Sequence, residues 1–215
     1  MPRVLIVGKT KKWDEACVGG LVLDESLKSV RLLTASGEDQ PADTPFEVGC
    51  IWEITFEEIQ ADNRTSPHSE DVRVIEATPS SPRIDQRKLV DFIRDRFCQS
   101  VYSPAELFDG LVKPTDNYKW FVASKTGLPS YSTGFWRLDN ALRLFWVSQN
   151  RERKPRYIYL DDDGNNPTFD VPYVGFEEPP LVVIPRGAIV RFSLAQPFKN
   201  DKQHRCYLQL SGWFL

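Results

Sequence analysis

Gly49-Cys50-Ile51-Trp52-Glu53-Ile54-Thr55-Phe56 and Gly187-Ala188-Ile189-Val190-Arg191-Phe192-Ser193-Leu194 are two versions of one phrase. Each places Ile two residues after Gly, then an apolar residue, and near the end a hydroxyl residue followed by a large apolar one. Each follows a proline and a turn, and each leads through a polar loop and a histidine into another strand-like run. These histidines, His68 and His204, are the only two in the chain. A phrase repeated at this separation predicts two copies of a small β-barrel. Five short strands cannot bury both faces as a flat sheet, whereas curling them hides one face and removes most of the exposed edge.

The flanking sequence fits this reading. Arg3 to Gly8, Ala16 to Leu23, Ser29 to Thr34, Cys50 to Glu58 and Asp71 to Ala77 are short apolar runs bounded by turn formers, and read as strands. Thr78-Pro79-Ser80-Ser81-Pro82 reads as a linker-like break. After it, Leu89, Phe92, Ile93 and Phe97 recur at helical spacing, with Arg87, Lys88, Asp91, Arg94 and Asp95 mostly on the other face. Ser103-Pro104-Ala105-Glu106 has the pattern of a helix start, and Gly110 of a left-handed stop. From Ser130 the chain is β-rich again, with strands predicted at Arg156 to Leu160, Ile189 to Ala195 and Arg205 to Phe214.

Composition narrows the function. Of 215 residues, 41% are hydrophobic, enough for a packed core. The net charge of −3 gives no overall basic field, so a nucleic-acid contact has to come from local patches. Cys17, Cys50, Cys98 and Cys206 lie far apart with no zinc-type spacing, and read as buried free thiols with no metal. No apolar run reaches the roughly 20 residues that span a bilayer. The start, Met1 to Gly8, reads as a first strand rather than a leader, and a cytoplasmic location without membrane contact is expected.

Catalytic motifs fail on spacing. Gly8-Lys9-Thr10 lacks the earlier glycine of a phosphate loop, that position being Arg3. Asp161-Asp162-Asp163-Gly164-Asn165-Asn166 resembles the start of a calcium loop, but its glycine comes two places early. His68, beside Glu70 and Asp71, is tied by no motif to a nucleophile, and reads as structural; His204 and Cys206 share a strand face with no further partner. Hence no catalysis and no cofactor is expected. The best functional lead is basic and aromatic. Lys9, Lys11, Lys12 and Trp13 cluster at the end of the first strand, with Arg31 a further candidate on the same unit. Arg151, Arg153, Lys154 and Arg156 lead into Tyr157 and Tyr159, which strand alternation puts on one face. Cations for phosphates with aromatics for bases are the parts of a single-strand-binding groove.

Several segments together resemble a known family, the dual OB-containing proteins of prokaryotes. They are Val7 to Thr10, Ser29 to Thr34, Pro67 to Val72, Leu107 to Gly110, Tyr131 to Trp136, Pro172 to Phe176 and Arg205 to Trp213. The resemblance implies accessory modules encoded beside NTPases and other effectors of bacterial conflict or phage-defence systems, with nucleic-acid or nucleotide recognition inferred from the fold. The resulting expectation is a mainly β chain of two OB-like five-stranded barrels, residues 1–78 and 129–215, joined by a helical segment at 79–128. Its expected ligand is single-stranded DNA or RNA, or a nucleotide. The rival expectation is a protein adaptor for an NTPase or effector partner.

Overall fold

The computed structural model describes residues 1–60, 67–98, 103–125, 127–149, 152–160, 167–176, 178–197, 201–202 and 204–215. In the first unit β1 (Arg3–Lys12), β2 (Glu15–Val22), β3 (Ser29–Leu33), β5 (Ile51–Glu58) and β6 (Asp71–Ser81) close into a barrel in the order β1-β5-β6-β3-β2, and β2 returns to β1. The short β4 (Gln40–Pro41) adds to the end of β2. All pairings in the ring are antiparallel except β3 with β6. This is the ring expected from the repeat. A bulge between Ile6 and Gly8 lets β1 bend, so that it pairs with β5 through Arg3 to Leu5 and with β2 as far as Lys12.

The segment from Thr78 to Ser81, read as a linker, belongs to β6 and pairs with β5. Pro79 is accommodated because the register slips there: Trp52 faces Pro79 while Ile51 faces Ser81, leaving Ser80 as the extra residue. A bulge is one of the few places where a sheet tolerates proline. Helix α1 (Gln86–Phe97) follows, with Asp85 capping its first turn through the amides of Arg87 and Lys88. Leu89 and Ile93 are its buried positions, as the spacing predicts. The Ser103 start holds only a 3-10 turn, Pro104–Glu106, followed by another at Phe108–Gly110 that ends with Gly110 at φ +70°.

Among the described residues the rest of the connector is not helical. It carries β7 (Lys113–Pro114) and β8 (Trp120–Ala123), and β8 pairs with β15 (Arg205–Phe214). One sheet of the second unit runs β7-β8-β15-β14-β9, where β9 is Thr133–Arg137 and β14 is Ile189–Leu194. The other runs β12-β11-β10-β13, from β10 (Leu142–Gln149), β11 (Glu152–Leu160), β12 (Pro167–Pro172) and β13 (Val183–Ile184). Here the ring of the first unit is not reproduced. In that ring β6 pairs with β3, but its counterpart β15 gives part of its edge to β8, and β12 occupies the edge of β11. Only two isolated parallel bridges among the described residues, Lys119 to Asp170 and Tyr173 to Leu210, connect the two sheets. The second unit is therefore a curled half-barrel rather than a closed one.

The repeat is nonetheless exact in its turns. Gly49 and Gly187 have φ of +88° and +86°, a region open to glycine without a Cβ penalty. Gly49 donates its amide to Ile6 O and Gly187 to Leu138 O, each at 2.8 Å; the return bonds are Ile6 N to Cys50 O and Leu138 N to Ala188 O. The first interior pairs Val4 with Trp52, and the second pairs Trp136 with Val190. Each copy thus has one tryptophan and one valine at the equivalent pair, with the strands exchanged.

Three cores result. Val4, Ile6, Val18, Leu32, Trp52 and Ile54 fill the first barrel. Trp136, Tyr157, Phe169, Phe192, Leu208 and Leu210 centre the second unit, with Leu107, Phe108, Val112 and Val122 from the connector. The third lies between the units. There Leu5, Val7 and Leu21 on the outer wall of the first barrel meet Leu89 and Ile93 of α1 and Phe135, Ile189 and Phe214 of the second unit. Truncating Ile93 to Ala is expected to lower stability by about 2–5 kcal/mol, whereas Lys88→Ala, on the exposed face, should stay within about 0.5 kcal/mol. Because the third core is common to both units, urea unfolding followed by tryptophan fluorescence and by circular dichroism should give coincident single transitions. Two separated transitions would contradict a shared core.

Candidate functional site

The third core sets a seam between the units, and the seam holds a cavity of about 160 Å3. Strand β14 supplies one wall. Val190, Phe192 and Leu194 point into the second unit's core, so Ile189, Arg191 and Ser193 face the first barrel. Arg191 lies over the paired glycines Gly8 and Gly19 of β1 and β2. A Cβ at Gly8 would stand 2.7 Å from its Nη1, and one at Gly19 would stand 2.3 Å from its Nη2. These glycines are the window through which the guanidinium reaches the first barrel's wall.

Arg191 is only 5% exposed. Its Nη1 donates to Ser211 Oγ at 2.8 Å, and Ser211 Oγ donates to Arg191 O at 2.9 Å. Ser211 is available because a bulge in β15 makes it the extra residue opposite Arg191 and Phe192. The Nε of Arg191 has no hydrogen-bond partner, and no carboxylate of the described residues forms an ion pair with it. Burial pulls its pKa below the ordinary arginine value, with Cys17 and Glu70 acting in the opposite sense.

The opposite wall comes from the first barrel. Arg31 is 6% exposed and holds Asp71 in a fork, Nε to Oδ1 at 2.6 Å and Nη2 to Oδ2 at 2.7 Å, with Asp39 at 3.3 Å. Burial works against its charge, but the hydrogen bonds to Asp71 and the charges around it outweigh that and raise its pKa. Lys12 pairs with the same Asp39. Lys11 is exposed, and its backbone amide donates to Val174 O at 2.9 Å. That bond ties β1 to the Tyr173–Phe176 segment of the second unit, whose Phe176 packs against the first barrel's core. Lys9 is occupied by Glu47 at 2.6 Å and Thr44 O at 3.0 Å, over the Phe176 ring.

His68 and Glu70 complete the lining from one side. Ser132 Oγ donates to Glu70 Oε1 at 2.5 Å, so the 2.9 Å contact between Ser132 Oγ and His68 Nδ1 requires an N–H on Nδ1. Glu70 also accepts from Ser132 N at 3.2 Å and Ser69 Oγ at 3.3 Å. The three side chains do not form a nucleophilic relay. The serine sits between acid and histidine and is fully buried, whereas a triad needs the histidine between acid and an accessible serine. A second cleft, of about 340 Å3, shares Glu70 and Thr133 and has apolar walls from Phe97, Leu107, Tyr131 and Phe135.

The sequence candidates divide sharply. Lys11, Lys12 and Arg31 meet at the cavity, and Trp13 stands at the tip of the β1–β2 hairpin, 86% exposed with φ +56°. The expected groove at Tyr157 and Tyr159 is corrected. Tyr157 is fully buried and donates its hydroxyl to Leu181 O. Tyr159 stacks on Phe169 at 5.0 Å and donates to Asp139 at 2.6 Å. Alternation does put both on one face, but that face is the core: Tyr157 has no surface for a base, and half-buried Tyr159 already stacks on Phe169. Arg156 pairs with Asp170, and Arg153 lies over the Trp146 ring at 5.0 Å. Arg151 and the Asp161-to-Asn166 stretch lie outside the described residues. The four cysteines are thiols outside any disulfide, and only Cys206 is buried. Among the described residues no group of His, Cys, Asp or Glu could hold a metal ion, and no helix is long and apolar enough to cross a membrane.

Arg191, Glu70 and Ser132 were not among the candidates. The available signal was the repeat itself, in which Arg191 occupies the place of Glu53 and interrupts an otherwise apolar strand.

Burial, reinforced by the charges of Arg31 and Lys12, holds the His68 pKa well below its ordinary value. The native state therefore refuses a proton that the unfolded chain accepts below about pH 6.5. His68 leaves stability unchanged above that pH and lowers it as pH falls further, by at most about 1.4 kcal/mol per pH unit. Urea midpoints at pH 7.5, 6.5 and 5.5 should decline over the last interval, and His68→Gln should flatten that decline. An equal decline in the variant would show that His68 is not the group responsible.

A search of curated proteins and of solved structures finds no match to the chain. The model of the dual OB-containing domain matches residues 2–213. With a closed five-stranded barrel, a second curled sheet unit and a match across nearly the whole sequence, the chain belongs to the dual OB-containing domain family.

Proposed function

We propose that this protein is a binding module, without chemistry of its own, for single-stranded nucleic acid or a nucleotide, taken at the β1–β2 hairpin and the adjoining seam. The observation that carries this reading is Trp13. A bulky aromatic side chain that is 86% exposed has no packing reason to sit at a hairpin tip in the left-handed region. The loop between the first two strands is one of those with which OB barrels engage oligonucleotides. Exposed Lys11 and half-buried Lys12 immediately precede Trp13, which supplies cations on one side of a stacking surface. The second unit's tyrosines no longer contribute, so the reading rests on the first barrel and the seam.

A second reading is the protein adaptor, serving an NTPase or effector partner in a defence setting of the kind the family resemblance implies. Val182 and Val183 favour it. They are 71% and 44% exposed beside β10, and β13 is an edge of its sheet. Salt separates the two, because phosphate contacts weaken steeply as salt rises and an apolar contact does not.

Fluorescence anisotropy with labelled single-stranded DNA and RNA, at low and at physiological salt, tests the first reading. Binding should fall with salt, and Trp13→Ala should weaken it by about 5- to 150-fold, the equivalent of one lost base stack. Absence of binding at both salt concentrations would sink it.

A further inference from the structure

We propose that the seam cavity is a receptor for a terminal phosphate monoester, anchored by Arg191. The inference rests on the hairpin face being the ligand face, and adds which chemical group the ligand must present.

A guanidinium that is 5% exposed, with one side-chain acceptor, an idle Nε and no carboxylate partner, is expensive to keep in a protein. Removing an ion pair's partner is among the more destabilising changes known, and among the described residues Arg191 forms no ion pair. It borders a space of about 160 Å3. An engineered cavity of about that size takes one benzene, so this one admits a single phosphate-sized group.

The lining charges favour an anion. Lys11, Lys12, Arg31 and Arg191 border the cavity, and Glu70 is the one carboxylate among the described lining residues. Both Glu70 oxygens already accept from Ser132, and one also accepts from Ser69. Arg31 and Lys12 are paired behind the wall through Asp71 and Asp39 and Lys11 is exposed, which leaves Arg191 as the buried cation of the lining without an ion pair. Gln196 and Gln209 add neutral amides to the lining. Arg191 lines the cavity together with Gly19, beside which its Nη2 lies, and a guanidinium fork matches phosphate oxygens better than a lysine point charge does.

Size also decides which phosphate. An internal phosphodiester carries a nucleotide on each side, and both would have to leave through the one open side of the cavity. A terminal monoester enters with only one substituent behind it. Three sources share this chemistry: inorganic phosphate, a 5′-mononucleotide and a 5′-phosphorylated strand.

The test compares these sources on the full-length protein. Thermal unfolding in phosphate-free buffer is followed with added inorganic phosphate and with added adenosine 5′-monophosphate. Anisotropy is measured with one oligonucleotide carrying either a 5′-phosphate or a 5′-hydroxyl. Phosphate and the mononucleotide should each raise the melting temperature, and the phosphorylated strand should bind about tenfold tighter or more. Arg191→Gln should abolish that preference. In phosphate-free buffer it should melt no lower than the wild type, since it removes a buried charge that no ion pair holds. Equal affinity for the two strands, without stabilisation by phosphate, would overturn the pocket and leave the proposed function standing. Stabilisation by phosphate with no strand or nucleotide bound would do the reverse. The strand comparison uses only the wild-type protein, so it decides the matter even if Arg191→Gln fails to fold.

Discussion

The rest of the structure depends on the burial of β1 on both faces. Val4 and Ile6 point into the first barrel, while Leu5 and Val7 point out of it into the core shared with α1 and the second unit. An OB barrel standing alone would show that outer wall to water. Here the wall is covered, and the continuous apolar run Val4-Leu5-Ile6-Val7 is the pattern of a strand with no wet side. Because the wall is spent on the second unit, the two halves are locked together, and a site can form where the apolar contact gives way to polar residues.

That transition occurs along the same strands. Ile189 belongs to the shared core, and two residues on, Arg191 lies over Gly8 and Gly19 at the cavity's edge. On the first barrel the corresponding change is from Val7 to Gly8 and then to the lysines of the hairpin. The polar part is not loosely built. Asp71, the first residue of β6, pairs in parallel register with Arg31 of β3 and also takes its guanidinium, so the ion pair sits at the parallel seam that closes the barrel. Fully desolvated ion pairs contribute little net stability, but they fix geometry, because any other arrangement leaves a charge unpaired. Arg31 is thus a positioning residue for the cavity wall and not an open contact for phosphate, which its sequence context alone did not indicate.

The two copies diverged most where the second had to accommodate neighbours. Both keep the glycine turn and the tryptophan–valine pair, which are local constraints of the strand entry and of the interior volume. They differ at the closing strand. β6 finds β3, whereas β15 is met by β8 from the connector and touches β12 through a single bridge. The histidines follow this divergence. His68 enters the seam and bonds Ser132 of the other unit, while His204 sits in an exposed turn at φ +49°.

What the sequence settled by itself was local and periodic. Gly49 and Gly187, the apolar alternation and the spacing of Leu89 and Ile93 depend on a few consecutive residues, and each has the same meaning wherever the chain folds. Strand alternation also placed Tyr157 and Tyr159 on one face, but alternation cannot say which face is wet; the position of Phe169 and Trp136 decided that. Likewise β8 was invisible because four residues carry little pattern until β15 offers an edge. Which cations remain unpaired depends on a carboxylate 40 residues away for Arg31, and on the engagement of Glu70 with Ser132 rather than with Arg191. Pairing and burial are properties of contacts between distant segments, so only the tertiary structure could turn a row of basic residues into spent ion pairs, a capped hairpin and one arginine without a counterion.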